Sequence, residues 1–162
     1  MTRPIRTAAG PLAVLLLLAA AWPALAQEVT APPSEELTTL EARVARFLEA
    51  VSLGQAEAAY TDLLSGSPLL NQEKALAQLV DQTTKLTANE KYGAYRSHER
   101  IRAKTIGREL ALLRYLYKCE NYPIVWYFTF YRTAPSGAAT APSWRVIAVR
   151  FDTDLDLLEY AE

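Results

Sequence analysis

From Ser34 to Leu53, apolar side chains recur at steps of three and four: Leu37, Leu40, Val44, Phe47, Leu48 and Val51. Glu41, Arg43, Arg46 and Glu49 fall between them, so the stretch predicts a helix with one apolar stripe. Ser34, or Thr38 with Glu41 three residues on, offers the N-cap, and Gly54 is placed to end the helix. Gln55 to Leu64 predicts a second, short helix whose face is built from Ala56, Ala59, Tyr60, Leu63 and Leu64. After a turn at Ser65 to Pro68, Asn71 is expected to cap a third helix running to about Thr87. Its inward positions are Leu76, Leu79, Val80, Thr83 and Leu86, and Tyr92-Gly93 is a turn that closes the helical half.

Beyond Tyr95 the period changes from 3.6 to 2, the mark of strands. Tyr95 to Lys104 alternates Arg96, His98, Arg100, Arg102 and Lys104 with Tyr95, Ser97, Glu99, Ile101 and Ala103, which reads as an edge strand with one charged face. Gly107 turns the chain into Arg108 to Cys119, with Leu110, Leu112 and Leu116 on one side and Ala111, Leu113, Tyr115 and Tyr117 on the other. Tyr122 to Arg132, YPIVWYFTFYR, is the central strand: Ile124, Trp126, Phe128 and Phe130 make a core face, and Val125, Tyr127, Thr129 and Tyr131 an amphipathic one. Pro123 at its start and the strict alternation disfavour a buried helix. A loop around Ser136-Gly137 leads to a fourth strand, Trp144 to Asp152, with Trp144, Val146 and Ala148 opposing Ile147, Val149 and Phe151. The acidic tail, with Leu155, Leu157, Leu158 and Tyr160, is expected to pack onto the body.

These runs leave no room for crossover helices, so the class is α+β with an antiparallel meander. One helical layer covers one face of a sheet whose inner strands are apolar or aromatic on both. The simplest second cover is another copy, so a homodimer through an outer face carrying Tyr115, Tyr117, Tyr127 and Tyr131 is expected.

Residues 1–26 combine Arg3 and Arg6, an apolar run from Pro11 to Trp22 and an Ala24-Leu25-Ala26 cleavage signal, the anatomy of an export signal. The run is short of the roughly 20 residues of a spanning helix, and no stable membrane anchor is expected. Cleavage before Gln27 leaves a polar leader over 27–33 and one domain over 34–162. Loss of Arg3 and Arg6 leaves 15 basic and 18 acidic side chains, a charge of −3 that gives no support to nucleic-acid binding. Gln27 to Tyr95 holds 5 basic and 10 acidic residues, whereas Arg96 to Arg132 holds 8 and 3, which points first to internal charge matching and then to an anionic partner. Cys119, alone, makes no internal disulfide and reads as a buried or idle thiol.

No zinc, nucleophile-elbow, phosphate-loop or dinucleotide motif is present, and neither a metal nor a cofactor is expected. His98 has no second histidine and falls among arginines on what reads as an outer face.

Three N-terminal helices packed on a curved four-stranded antiparallel sheet, in a single exported domain, resembles the NTF2-like (cystatin-like α+β cone) superfamily. The segment Gly54-Gln55-Ala56-Glu57-Ala58-Ala59-Tyr60 is similar to its G-x-x-E-x-A-Y helix start, and Trp144-Arg145-Val146 to its recurring W-x-V. The resemblance implies a pocket between helices and sheet, and a fold that hosts isomerases, dehydratases and pure binding domains. In such a pocket Tyr60, Tyr92 and Arg114 would be the polar groups, with Arg114 interrupting the Leu110, Leu112, Leu116 stripe to anchor a carboxylate. Trp126, Phe128 and Trp144 would line it. The leading expectation is a non-enzymatic domain binding a small apolar or anionic ligand, or a protein partner, through the cone pocket or the sheet face. An isomerase- or hydratase-like enzyme and a structural dimerisation module are the alternatives.

Overall fold

The computed structural model describes residues 35–134 and 143–155. The expected export segment, the leader, Ser34, the Ser136-Gly137 turn and the tail beyond Leu155 lie outside these residues. The chain runs α1 (Glu35–Ser52), α2 (Ala56–Leu63), a 3-10 turn (Pro68–Asn71), α3 (Glu73–Thr87), then β1 (Tyr95–Ile106), β2 (Leu110–Cys119), β3 (Ile124–Thr133) and β4 (Ser143–Asp152). The strands form one antiparallel sheet in the order β1-β2-β3-β4. Three helices followed by an antiparallel meander is the order the periodicities predict. Among the described residues no helix is long and apolar enough to cross a membrane.

The apolar stripe of α1 is buried as spaced: Leu40, Val44, Phe47, Leu48 and Val51 all lie in the core. Gly54 ends the helix at a φ of 76°, the left-handed conformation that a residue without a Cβ adopts at little cost. The start of α3 corrects the expected cap. Asn71 closes the 3-10 turn, and Gln72 stands at the cap position with no side-chain hydrogen bond. Ser67 does the local work: its hydroxyl accepts from the Leu69 N–H at 3.1 Å and donates to the Val146 carbonyl at 2.5 Å, tying the turn to β4. In α3, Thr83 and Leu86 are buried, while Leu76, Leu79 and Val80 pack part-buried against the core.

The sheet buries Ala111, Leu113, Tyr115 and Tyr117 of β2 and Ile124, Trp126, Phe128 and Phe130 of β3 against the helices. The expected face of β2 is therefore reversed. Tyr115 stands opposite Trp126, and both point to the core, so Leu110, Leu112, Arg114 and Leu116 take the outer side. The choice is physical: the inward set buries two large aromatics, whereas the other set would carry the Arg114 guanidinium inward and desolvate it.

Both edge strands carry a bulge. The β1–β2 register shifts between Tyr95 and Ser97 and again between Arg100 and Arg102, and the β3–β4 register shifts between Thr129 and Phe130. An extra residue breaks strict alternation, so the expected single charged face of β1 divides. His98 and Arg100 pair with Tyr117 and Tyr115 on the helix side, while Arg102 and Lys104 pair with Arg114 and Leu112 on the outer side. In β4, Val146 and Val149 are both buried, and Ala148 and Arg150 face outward opposite Thr129 and Tyr127.

Arg43 fastens the helical layer to the sheet. It donates to the Trp144 carbonyl at 3.1 Å and to the Leu63 carbonyl at 2.9 Å, and its guanidinium lies 5.6 Å from the Phe130 ring centre. Ion pairs Glu41–Arg100 and Glu36–Arg132 join α1 to β1 and β3, the internal matching that the charge asymmetry predicts.

Candidate functional site

The expected interior pocket is largely filled. Phe47 of α1 meets Tyr60, Trp126 and Phe128 edge-on, at ring-centre distances of 5.0, 5.4 and 5.5 Å. Tyr60 is fully buried, with its hydroxyl 2.9 Å from Thr83 Oγ1, and burial pushes its phenol up to about 12 although that hydrogen bond opposes the rise. Trp126 is fully buried too and its indole N–H finds no acceptor among the described residues. Trp144 packs part-buried against the same core, its N–H 3.4 Å from Glu36 Oε2 and its ring under Arg132. Of the six residues singled out for the pocket, Tyr60, Trp126 and Phe128 share the core, Tyr92 lies at one end of it, Trp144 packs part-buried against it and Arg114 is on the opposite face of the sheet.

At the Tyr92 end a cavity of about 230 Å³ remains, lined among others by Ser52, Leu86, Tyr92, Tyr95, Tyr117 and Cys119. Burial raises the Cys119 thiol and the Tyr117 phenol, so both are held neutral. His98 faces this side, 2.8 Å from the Tyr95 hydroxyl through Nδ1, rather than lying on the outer face as expected.

The open concavity lies on the outer face. A cavity of about 500 Å³ is lined by Arg102, Lys104, Arg114, Arg150, Tyr127 and Leu112, with Thr129 and Ala148 beside them. Cross-strand pairing explains the assembly. Arg102, Arg114, Tyr127 and Arg150 form one row across all four strands, and Lys104, Leu112, Thr129 and Ala148 form the next. Arg114 and Arg150 reach the Tyr127 ring from the strands on either side, with guanidinium carbons 4.8 and 4.5 Å from its centre. Contacts of this length between a guanidinium and an aromatic face are attractive and orient both cations. In the row beyond, Val125 is fully buried, which ends the open part of the face.

The row beyond, that of Val125, holds the carboxylates of Glu99, which pairs with Lys118, and of Asp152. The ion pairs formed elsewhere engage Arg46, Lys85, Arg96, Arg100, Lys118 and Arg132. Among the described residues, Arg102, Lys104, Arg114 and Arg150 have no carboxylate within salt-bridge distance. Planar guanidinium groups converging on one concavity suit a carboxylate, phosphate or sulfate, which they can hold by paired N–H donors.

The outer-face tyrosines expected at a dimer interface separate in the same way. Tyr127 and Tyr131 are on that face, whereas Tyr115 and Tyr117 are 4% and 2% exposed beneath the helices. Arg102 and Lys104 lie on the outer face that the sequence assigns to the charged side of β1, while the bulge turns His98 and Arg100 to the helix side. Arg150 escapes the sequence reading because the β4 bulge changes the face it reaches. The available signals were Arg114, which breaks an apolar stripe, and the basic alternation of β1.

No protein-family model, no curated protein and no solved structure matches this chain.

Proposed function

We propose that the chain is an exported, non-enzymatic binding domain of NTF2-like type that holds an anionic ligand on the outer face of its sheet. The observation that carries this reading is the row Arg102–Arg114–Tyr127–Arg150: three guanidinium groups with no carboxylate within salt-bridge distance among the described residues, two of them against the Tyr127 ring, lining one cavity of ligand size. Like charges placed directly opposite one another on a sheet destabilise it. An arrangement of that kind is sustained where an anion relieves it. The binding reading is favoured over the isomerase-like one by where the charge gathers: at the outer face, away from Tyr60 and Tyr92. A second copy of the same face is a weaker occupant, because stacking would bring the two sets of cations against each other.

The test is a fluorescence titration of the mature chain with anilinonaphthalene sulfonate, an anion with an aromatic body. Binding is expected to weaken at least tenfold in the double variant Arg102→Gln, Arg114→Gln, and again in about 1 M sodium chloride, where the screening length falls to roughly 3 Å. Equal binding by the double variant and the unmodified chain would overturn the proposal.

A further inference from the structure

The outer face arranges its chemistry along the strands as well as across them. Below the arginine row lies Lys104–Leu112–Thr129–Ala148, and below that Ile106–Leu110–Tyr131, with Arg145 at its far end. Rows on one face are two residues apart, so the arginine row and the Ile106 row stand roughly 13 Å apart. Ile106 is 48% exposed and Tyr131 40%, so the sheet ends in an open apolar lip beside the β1–β2 turn. Leu112 forms part of the cavity wall midway between the lip and the cations. Along β2, Arg114, Leu112 and Leu110 thus succeed one another in a line that runs from charge to the apolar lip, with Lys104 and Thr129 flanking Leu112.

We infer that the ligand is an anionic amphiphile bound as a single molecule, its head against Arg102, Arg114 and Arg150 and its hydrocarbon chain along Leu112 and Ala148 to Ile106, Leu110 and Tyr131. This rests on the anion-binding reading above and specifies what is attached to the anion. The guanidinium groups supply paired donors to a carboxylate or phosphate head. The chain would cover apolar side chains that otherwise meet water, a gain that grows with each methylene buried. A single molecule is favoured over a lipid surface because the cations line a concavity of about 500 Å³ in the middle of the face, not a convex rim.

The experiment is calorimetric titration of the mature chain with sodium butanoate and with sodium dodecanoate below its micelle-forming concentration, plus a sedimentation assay with phosphatidylglycerol vesicles. Dodecanoate is expected to bind at least roughly a hundredfold more tightly than butanoate. Leu112→Thr is expected to remove about tenfold from dodecanoate binding and nothing from butanoate binding. Arg114→Gln is expected to weaken both to the same degree. Equal affinities for the two chain lengths, both lost on adding salt, would overturn the amphiphile and leave the anion site standing. Failure of both carboxylates and of anilinonaphthalene sulfonate to bind would overturn the anion site itself. Dodecanoate binding that ignores Arg114→Gln would overturn the placement of the head. Sedimentation with vesicles without dodecanoate binding would overturn the single-molecule assignment in favour of a membrane surface.

Discussion

Arg102 of β1 lies directly opposite Arg114 of β2 in the strand register, both on the outer side of the sheet. A like-charged cross-strand pair works against the fold, by about 0.5 kcal/mol at an exposed site. Arg102→Thr, which keeps a strand-favouring side chain, is therefore expected to stabilise the chain by about that amount and to weaken anion binding several-fold. Thermal unfolding at low ionic strength checks the first outcome, and the gain should vanish in high salt, where the repulsion is screened. A less stable variant would show that Arg102 is already satisfied by a partner.

Alkaline pH should unfold the chain through its buried phenols. Burial raises Tyr60 from 10.0 to about 12, and Tyr115 to about 12, with Glu41 adding to the rise and Arg100 opposing it. Below pH 10 both states keep these protons, so the contribution of each phenol is complete. Between about pH 10 and 12 the unfolded chain releases protons that the native state retains, so stability falls as pH rises. For Tyr60 the loss is of the order of 2 to 3 kcal/mol. Urea midpoints should be flat from about pH 8 to near 9.5 and fall above 10, and Tyr60→Phe should flatten part of that slope. At about pH 8 the same variant should cost about 1 to 2 kcal/mol by leaving the Thr83 hydroxyl unpaired.

Arg43 satisfies carbonyls on two elements at once, those of Leu63 and Trp144. Hydrogen bonds from a charged donor contribute about 1.5 to 3 kcal/mol each. Arg43→Met keeps an apolar stem of similar length but loses the guanidinium over Phe130 and strands both acceptors, and is expected to cost about 2 to 4 kcal/mol in denaturant unfolding. Arg46→Met, which loses an exposed contact of 3.7 Å to Asp62, is expected to change stability by less than about 0.5 kcal/mol.

Deleting a bulge residue should be tolerated. Ile101, at the Arg100/Arg102 shift, and Ile147, at the Thr129/Phe130 shift, are 40% and 42% exposed and lose little burial on removal. Removing either regularises the ladder at that point while every flanking residue keeps its face. The cost is expected to stay below about 1.5 kcal/mol, with anion binding weakened because the bend at the arginine row is lost. Unfolding of the deletion variants would show that the bulges hold the edge strands themselves.

Much of the architecture was legible in the order of residues. Two periods, 3.6 and 2, place three helices before four strands, and turn residues too closely spaced for crossovers make the sheet a meander. The buried stripe of α1 and the core face of β3 come from spacing alone, because each apolar set has only one side to offer. Face choice in β2 was not legible. Leu110, Leu112 and Leu116 compete with Ala111, Leu113, Tyr115 and Tyr117 on nearly equal terms, and the cost of desolvating Arg114 emerges only once a core stands behind it. Nor could alternation be trusted at the edges. A bulge leaves little mark in composition, yet the extra residue at Ile101 divides the charged face of β1, and the one at Ile147 brings Arg150 to the cavity that Arg102, Lys104, Arg114 and Tyr127 line. The sequence by itself determined the elements, through local periodicity. The tertiary structure decided where the charge gathers, because register between strands is set by what the whole core buries.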